Sequence, residues 1–98
     1  MAYNDFNMDN HWLPFTPNRS FKKNPRVFTG ADGMEFTTHD GKKIIDGISS
    51  LWCVGAGHNR KPINEAIKKQ LDTLDYSTAF QASNDQAFKA AEMIAAMA

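Results

Sequence analysis

Asp40-Gly41 lies between two runs of strand-forming residues, and this dipeptide commits the first half of the chain to antiparallel pairing. Both central positions of a tight two-residue hairpin favour positive φ, which Asp and Gly tolerate. Before it, Met34-Glu35-Phe36-Thr37-Thr38 alternates apolar and polar, the period of a half-buried strand. After it, Lys43-Ile44-Ile45-Asp46 reads as the returning partner. Upstream, Arg26-Val27-Phe28-Thr29 is rich in β-formers and Gly30-Ala31-Asp32-Gly33 reads as a turn. Val27–Asp46 is therefore expected to be a small three-stranded antiparallel meander. Ile48–Val54 is expected to extend it as a short, irregular strand.

Two helices are expected beyond Gly55-Ala56-Gly57-His58-Asn59, which breaks the chain. Ile63, Ala66, Ile67, Leu71 and Leu74 recur at helical spacing, so the first helix should span Lys61 to Leu74, with Pro62 tolerated in its first turn and Asn59 as its cap. Ser83-Asn84-Asp85-Gln86 fits a capping box and should start the second, whose apolar face is Ala87, Ala91, Ile94 and Ala98. That helix is still in register at Ala98, with no glycine, proline or basic residue to stop it. A meander and two helices leave apolar faces that must be covered, and a domain this small is marginal alone. The chain is thus expected to be the N-terminal part of a larger protein.

The segment before the meander is different in kind. Residues 1–10 are polar and aperiodic and read as a flexible arm. His11-Trp12-Leu13-Pro14-Phe15-Thr16-Pro17 places large apolar side chains among prolines, which suits neither a regular helix nor a central strand. From His11 to Pro25 the chain should run irregularly across a surface, its own or another's.

The charge balance narrows the function classes. Eleven basic and eleven acidic residues cancel, and no basic cluster stands out, so the phosphate neutralisation that drives nucleic-acid binding has no source. No apolar run approaches the ~20 residues that cross a bilayer, and the N-terminus lacks the charged and apolar regions of a signal peptide. A cytoplasmic protein is expected. The histidines His11, His39 and His58 and the single Cys53 stand at no metal-ligand spacing, and Cys53 reads as a small core filler. Gly55-Ala56-Gly57 ahead of a helix could cradle a phosphate, but the third glycine of the dinucleotide fingerprint is Arg60, and a strand-to-helix hinge is the better reading. Ser49, Ser50 and His58 form no nucleophile elbow. The aromatic residues Trp12, Phe15, Trp52, Tyr76 and Phe80 fall in loops or strand ends, where residue type leaves both core and pocket open.

The run Asp46-Gly47-Ile48-Ser49-Ser50-Leu51-Trp52-Cys53-Val54-Gly55-Ala56-Gly57-His58 resembles the N-terminal region of class III pyridoxal-phosphate-dependent aminotransferases. Asp40-Gly41-Lys42-Lys43-Ile44-Ile45, His11-Trp12-Leu13-Pro14-Phe15-Thr16 and Leu74-Asp75-Tyr76-Ser77-Thr78-Ala79-Phe80-Gln81 fit the same family in the same order. The likeness runs from His11 to Ala98 and is closest to the ω-amino acid–pyruvate group, which includes β-alanine–pyruvate and amine–pyruvate transaminases. The resemblance implies an α/β protein: the N-terminal segment of a fold-type I transferase, with residues 11–98 in its small domain, leading toward the large cofactor domain. It implies amino transfer from an amine or ω-amino acid to pyruvate or a similar oxo acid through pyridoxal 5'-phosphate. A homodimer or dimer of dimers, with the site at the subunit interface, is implied as well.

Carried over residue by residue, Trp52 matches a family tryptophan that lines the substrate pocket, and Leu51 a pocket-wall position. Phe15 matches an aromatic of the segment that covers the site. Phe80 matches an aromatic given to the neighbouring subunit's pocket. The phosphate-binding turn, the aspartate that pairs with the pyridine nitrogen and the Schiff-base lysine match nothing here, so no catalytic, cofactor-binding or metal residue is expected in this chain. Asn84-Asp85 departs from the His-Pro often found in close relatives. The rival readings are a small non-catalytic interaction module and an inactive aminotransferase-like protein.

Overall fold

In the computed structural model, which describes residues 7–98, three strands pair in chain order: β1 (Phe28–Asp32), β2 (Glu35–Thr38) and β3 (Lys43–Ile45), both pairs antiparallel. Phe36 stands opposite Ala31 on one side and Ile44 on the other. The meander expected over Val27–Asp46 is present. Its turns differ from expectation. Gly30–Asp32 are strand, not turn, and Gly30 sits at the irregularity where β1 shifts register against β2. The reversal is made by Gly33 and Met34, with Gly33 at φ +57. Between β2 and β3 the loop holds four residues, His39, Asp40, Gly41 and Lys42, not two. The Thr38 N–H donates to the Lys42 carbonyl at 2.9 Å and only Gly41, at φ +81, is left-handed. The Thr38 hydroxyl accounts for the wider loop, because it accepts the Lys42 N–H at 3.0 Å and keeps that residue outside the ladder.

The segment expected to run irregularly contains a short helix, α1 (Asn18–Lys23), with Lys22 and Lys23 in the last turn where they complement the helix dipole. Of the expected arm at 1–10, residues 1–6 lie outside the described residues; at its end the Asp9 N–H donates to Asn7 Oδ1. Ile48–Val54 is not a strand. It contains α2 (Ser49–Trp52), a single turn whose four residues all have positive φ.

The chain divides into two units, Met1–Lys61 and Pro62–Ala98. The second unit carries most of α3 (Lys61–Leu71) and all of α4 (Asp85–Met97). After Leu71 the α3 path continues as turns, with the Leu74 N–H donating to the Gln70 carbonyl at 2.8 Å. The cap of α4 is Asn84 rather than Ser83: its Oδ1 accepts the Ala87 N–H at 3.0 Å.

Burial is inverted. Among the described residues the buried ones are Asn18, Pro25, Thr38 and His39, and no large apolar side chain is buried. Ile63, Ile67 and Leu71 of α3 and Phe88, Ile94 and Met97 of α4 are exposed. These are the uncovered apolar faces that the inventory of elements foreshadowed.

Candidate functional site

β3 delivers the chain to Asp46, whose N–H donates to the Met34 carbonyl at 2.8 Å. The Asp46 side chain, 4% exposed, is a hub for the residues that follow. Its Oδ1 accepts the N–H groups of Ser50 at 3.1 Å and Ile48 at 3.3 Å. Its Oδ2 accepts the Ser50 hydroxyl at 3.3 Å and lies 2.7 Å from His58 Nε2. The Ser50 amide is foremost in holding the Asp46 carboxyl below its ordinary range; desolvation opposes it, and His58, the Ile48 amide and the Ser50 hydroxyl reinforce it.

These bonds hold α2 in a left-handed form. Ser49, Ser50, Leu51 and Trp52 have φ of 51°, 56°, 95° and 71°. The turn closes through the Trp52 N–H to the Ile48 carbonyl at 3.0 Å and the Cys53 N–H to the Ser49 carbonyl at 2.9 Å. Left-handed backbone costs an L-residue roughly 1–2 kcal/mol, so four in succession persist only where the surroundings over-determine them. The result is display: Leu51 and Trp52 project from the turn, Trp52 at 85% exposure. Cys53 is exposed as well, not a core filler, because the turn carries it outward with its Sγ 3.3 Å from the Leu51 carbonyl.

The far end of this loop is tied to the sheet. His58 and Gly33 exchange backbone hydrogen bonds at 2.8 and 3.1 Å, and the His58 ring packs against Phe36, which stacks on Phe28. Gly57 has φ +96, and a Cβ there would stand 3.4 Å from the Gly33 carbonyl oxygen, so close approach as well as φ asks for glycine. The Gly57 and His58 amides are spent on Val54 and Gly33, which makes this segment a hinge and removes two donors a phosphate cradle would use. Asn59, expected as the α3 cap, has φ +52 and donates from Nδ2 to the Ala31 carbonyl.

Phe15 is presented by a second, separate loop. It has φ +49 and is fully exposed, on a loop fastened by the buried Asn18 side chain. Asn18 accepts the Leu13 N–H at 2.8 Å and donates to the carbonyls of Leu13 and Thr16, each at 2.9 Å. Trp12 lies beneath the Lys22 ammonium, 5.4 Å from its ring centre. Phe80 belongs to the second unit, where it is exposed and its N–H donates to Thr78 Oγ1 at 3.2 Å. Leu51 and Trp52 thus share one turn, while Phe15 and Phe80 come from other loops. A cleft of about 720 Å³ is lined by Phe21 of α1 and by Arg26, His39, Lys42 and Ile44, and a second of about 400 Å³ by Met8, Leu13, Phe21 and Val27; none of the four expected site residues lines either.

Sequence reasoning assigned no role to Asp46 or His58. The available signal was an aspartate followed within four residues by two serines, the pattern of a side chain that captures nearby amides. Four of the lysines are engaged in ways that do not suit a cofactor anchor. Lys42, Lys68 and Lys89 pair with exposed carboxylates and Lys43 donates to Thr37 Oγ1, whereas a carbonyl-capturing lysine is activated in a desolvated or cationic setting. Among the described residues no group of three or more His, Cys, Asp or Glu could hold a metal ion, and no helix is long and apolar enough to cross a membrane.

The family described as Aminotransferase class-III matches residues 17–98. A β-alanine–pyruvate aminotransferase of Pseudomonas aeruginosa is 46% identical over 93 residues, 95% of this chain and 21% of the relative. An ω-amino acid–pyruvate aminotransferase of Pseudomonas putida is 47% identical over 87 residues, 89% of this chain and 19% of the relative. The crystal structure of an amine transaminase from an uncultivated Pseudomonas species, in its PLP-bound form, superposes with a TM-score of 0.78 at 31% identity, covering 93% of this chain and 21% of that one. The chain spans about a fifth of the length of the curated relatives it matches.

Proposed function

This chain belongs to the class III aminotransferases, and from that premise we propose that its protein moves an amino group from an ω-amino acid or primary amine to pyruvate or a similar oxo acid. Identity of 46–47% to β-alanine–pyruvate and ω-amino acid–pyruvate enzymes supports this substrate class over an interaction module. Pyridoxal phosphate, held by residues outside this chain, supplies the electron sink and carries the amino group.

This chain's part is to shape the site. Trp52 and Leu51 form an apolar wall that orients the carbon chain of the donor and keeps water from the reacting carbon. Phe15 covers the site from the N-terminal segment, and Phe80 serves the pocket of a neighbouring subunit in a homodimer or dimer of dimers. Residues 11–98 take their place in the small domain and lead toward the large cofactor domain of a cytoplasmic enzyme. The observation that carries this reading is the display of Trp52 at 85% exposure on a backbone that is costly to hold.

The test is alanine formation from pyruvate by the full-length protein with added pyridoxal phosphate, using β-alanine and a bulky aromatic amine as donors. Alanine should form, and Trp52→Ala should change the ratio of kcat/KM between the two donors by about tenfold. No alanine from any amine would overturn the activity, and an unchanged ratio would overturn the pocket assignment.

A further inference from the structure

We propose that Asp46 is a positioning residue for donor selectivity: through the Ile48 and Ser50 amides it holds the left-handed turn Ser49–Trp52, and so sets where Leu51 and Trp52 stand. The inference rests on the reading of Trp52 and Leu51 as pocket wall, and it goes further by naming what fixes that wall.

Three independent observations converge on the carboxylate. It is nearly fully buried beside exposed neighbours, which is unusual for an aspartate unless it is fully partnered. Its partners all lie within the loop it begins: Ile48 just before the turn, Ser50 within it, and His58 at the loop's far end. The segment it grips is the one run of consecutive positive-φ residues among the described residues, and none of the four is glycine. A turn of this hand is costly for L-residues, and Asp46 adds to its internal bonds an acceptor for the Ser50 amide and for the Ile48 amide that leads into it.

The anchoring is geometric rather than a matter of charge. Oδ1 takes both backbone donors, and an asparagine can place its carbonyl oxygen at the same point. Its amide would then face the Ser50 hydroxyl and His58 Nε2, each of which can act as an acceptor. A glutamate keeps the charge but displaces the oxygens by one methylene. Were Asp46 needed only as a charge beside His58, the order would be reversed, with glutamate mild and asparagine severe.

The experiment measures the ratio of kcat/KM for a bulky aromatic amine to that for β-alanine in the full-length holoenzyme. Asp46→Ala and Asp46→Glu should each shift that ratio by about fivefold or more, and Asp46→Asn should hold it within about twofold. Asp46→Glu and Asp46→Asn retain a polar partner for the loop and decide the matter even where Asp46→Ala does not fold. In a Trp52→Ala background the Asp46→Glu shift should shrink to within about twofold. An asparagine effect as large as that of glutamate, or a glutamate effect undiminished by Trp52→Ala, would overturn the proposal. Should Trp52→Ala itself leave the ratio unchanged, the pocket reading fails separately. The crystal structure of Asp46→Glu then judges the positioning role: displaced φ angles at Ser49–Trp52 uphold it and an unchanged turn refutes it.

Discussion

Asn18 clasps Leu13 from both sides, its Oδ1 accepting the Leu13 N–H at 2.8 Å and its Nδ2 donating to the Leu13 carbonyl at 2.9 Å. The same Nδ2 reaches the Thr16 carbonyl, so one buried amide closes the Leu13–Thr16 loop on which Phe15 is displayed at φ +49. No other side chain of this size carries both a donor and an acceptor in that geometry. Asn18→Ala should destabilise the full-length protein by about 1–3 kcal/mol, because it leaves main-chain groups without partners. Asn18→Asp should cost at least as much, since a carboxylate faces two carbonyl oxygens. Thermal unfolding measures both, and hydrogen exchange at the Leu13 amide should rise in step. Wild-type stability and protection in Asn18→Ala would show that the clasp does not hold the loop.

Much of the fold was legible because it is written locally. The alternation Met34–Thr38 and the returning run Lys43–Asp46 specified a meander, and the periodic Ile63, Ile67 and Leu71 specified a helix. What escaped depended on single side chains competing for the same amide. Asp40-Gly41 announced a reversal, but the hydroxyl of Thr38 set its size. Ser83 and Asn84 are both good caps, and the choice of Asn84 comes with a hydrogen bond from its Nδ2 to Ser77 that the local pattern does not contain. The candidate site was half legible. Trp52 stands out by residue type, whereas its exposure follows from four left-handed residues that no propensity favours. That compensation comes from Asp46 and from the Gly33–His58 bridge, which joins residues far apart in the chain. Cys53 was misplaced for the same reason, since its neighbours are apolar but the turn carries it outward.

Ser50, at φ 56° and ψ 14°, stands where glycine is at ease. Ser50→Gly removes a left-handed cost of roughly 1–2 kcal/mol, against which stand a more flexible unfolded chain and the loss of the hydroxyl bond to Asp46. The Ser50 N–H to Asp46 is retained. The balance predicts a variant between neutral and about 1 kcal/mol more stable than wild type. Ser50→Val, with a β-branched side chain at the same φ, should lose more than about 1 kcal/mol. Chemical denaturation of the full-length proteins orders the three. Valine tolerated as well as glycine would show that this backbone is not left-handed in solution.

Asp40 carries the clearest pH signature among the described residues. The Lys42 ammonium, 2.7 Å away, and then the Thr38 hydroxyl hold its carboxyl down to about 2, against a smaller desolvation effect in the other direction. A carboxyl lowered in the native state stays ionised where the unfolded chain, with a value near 3.9, has begun to take up its proton. Its stabilisation is therefore complete above about pH 5 and is lost as pH falls from about 4 through about 2. The same contact raises the Lys42 ammonium above its ordinary range, so that share is present at neutral pH and lost as pH rises through the alkaline limb. Both groups are solvent-exposed, and the effect should weaken as salt is raised. Asp40→Asn should unfold more readily than wild type at pH 7 in low salt, with the gap closing as pH is lowered from about 5 to about 2. Paired denaturation curves across that range read the gap directly. A constant offset at every pH, or one indifferent to salt, would mean that the asparagine disturbs the turn itself rather than removing an ion pair.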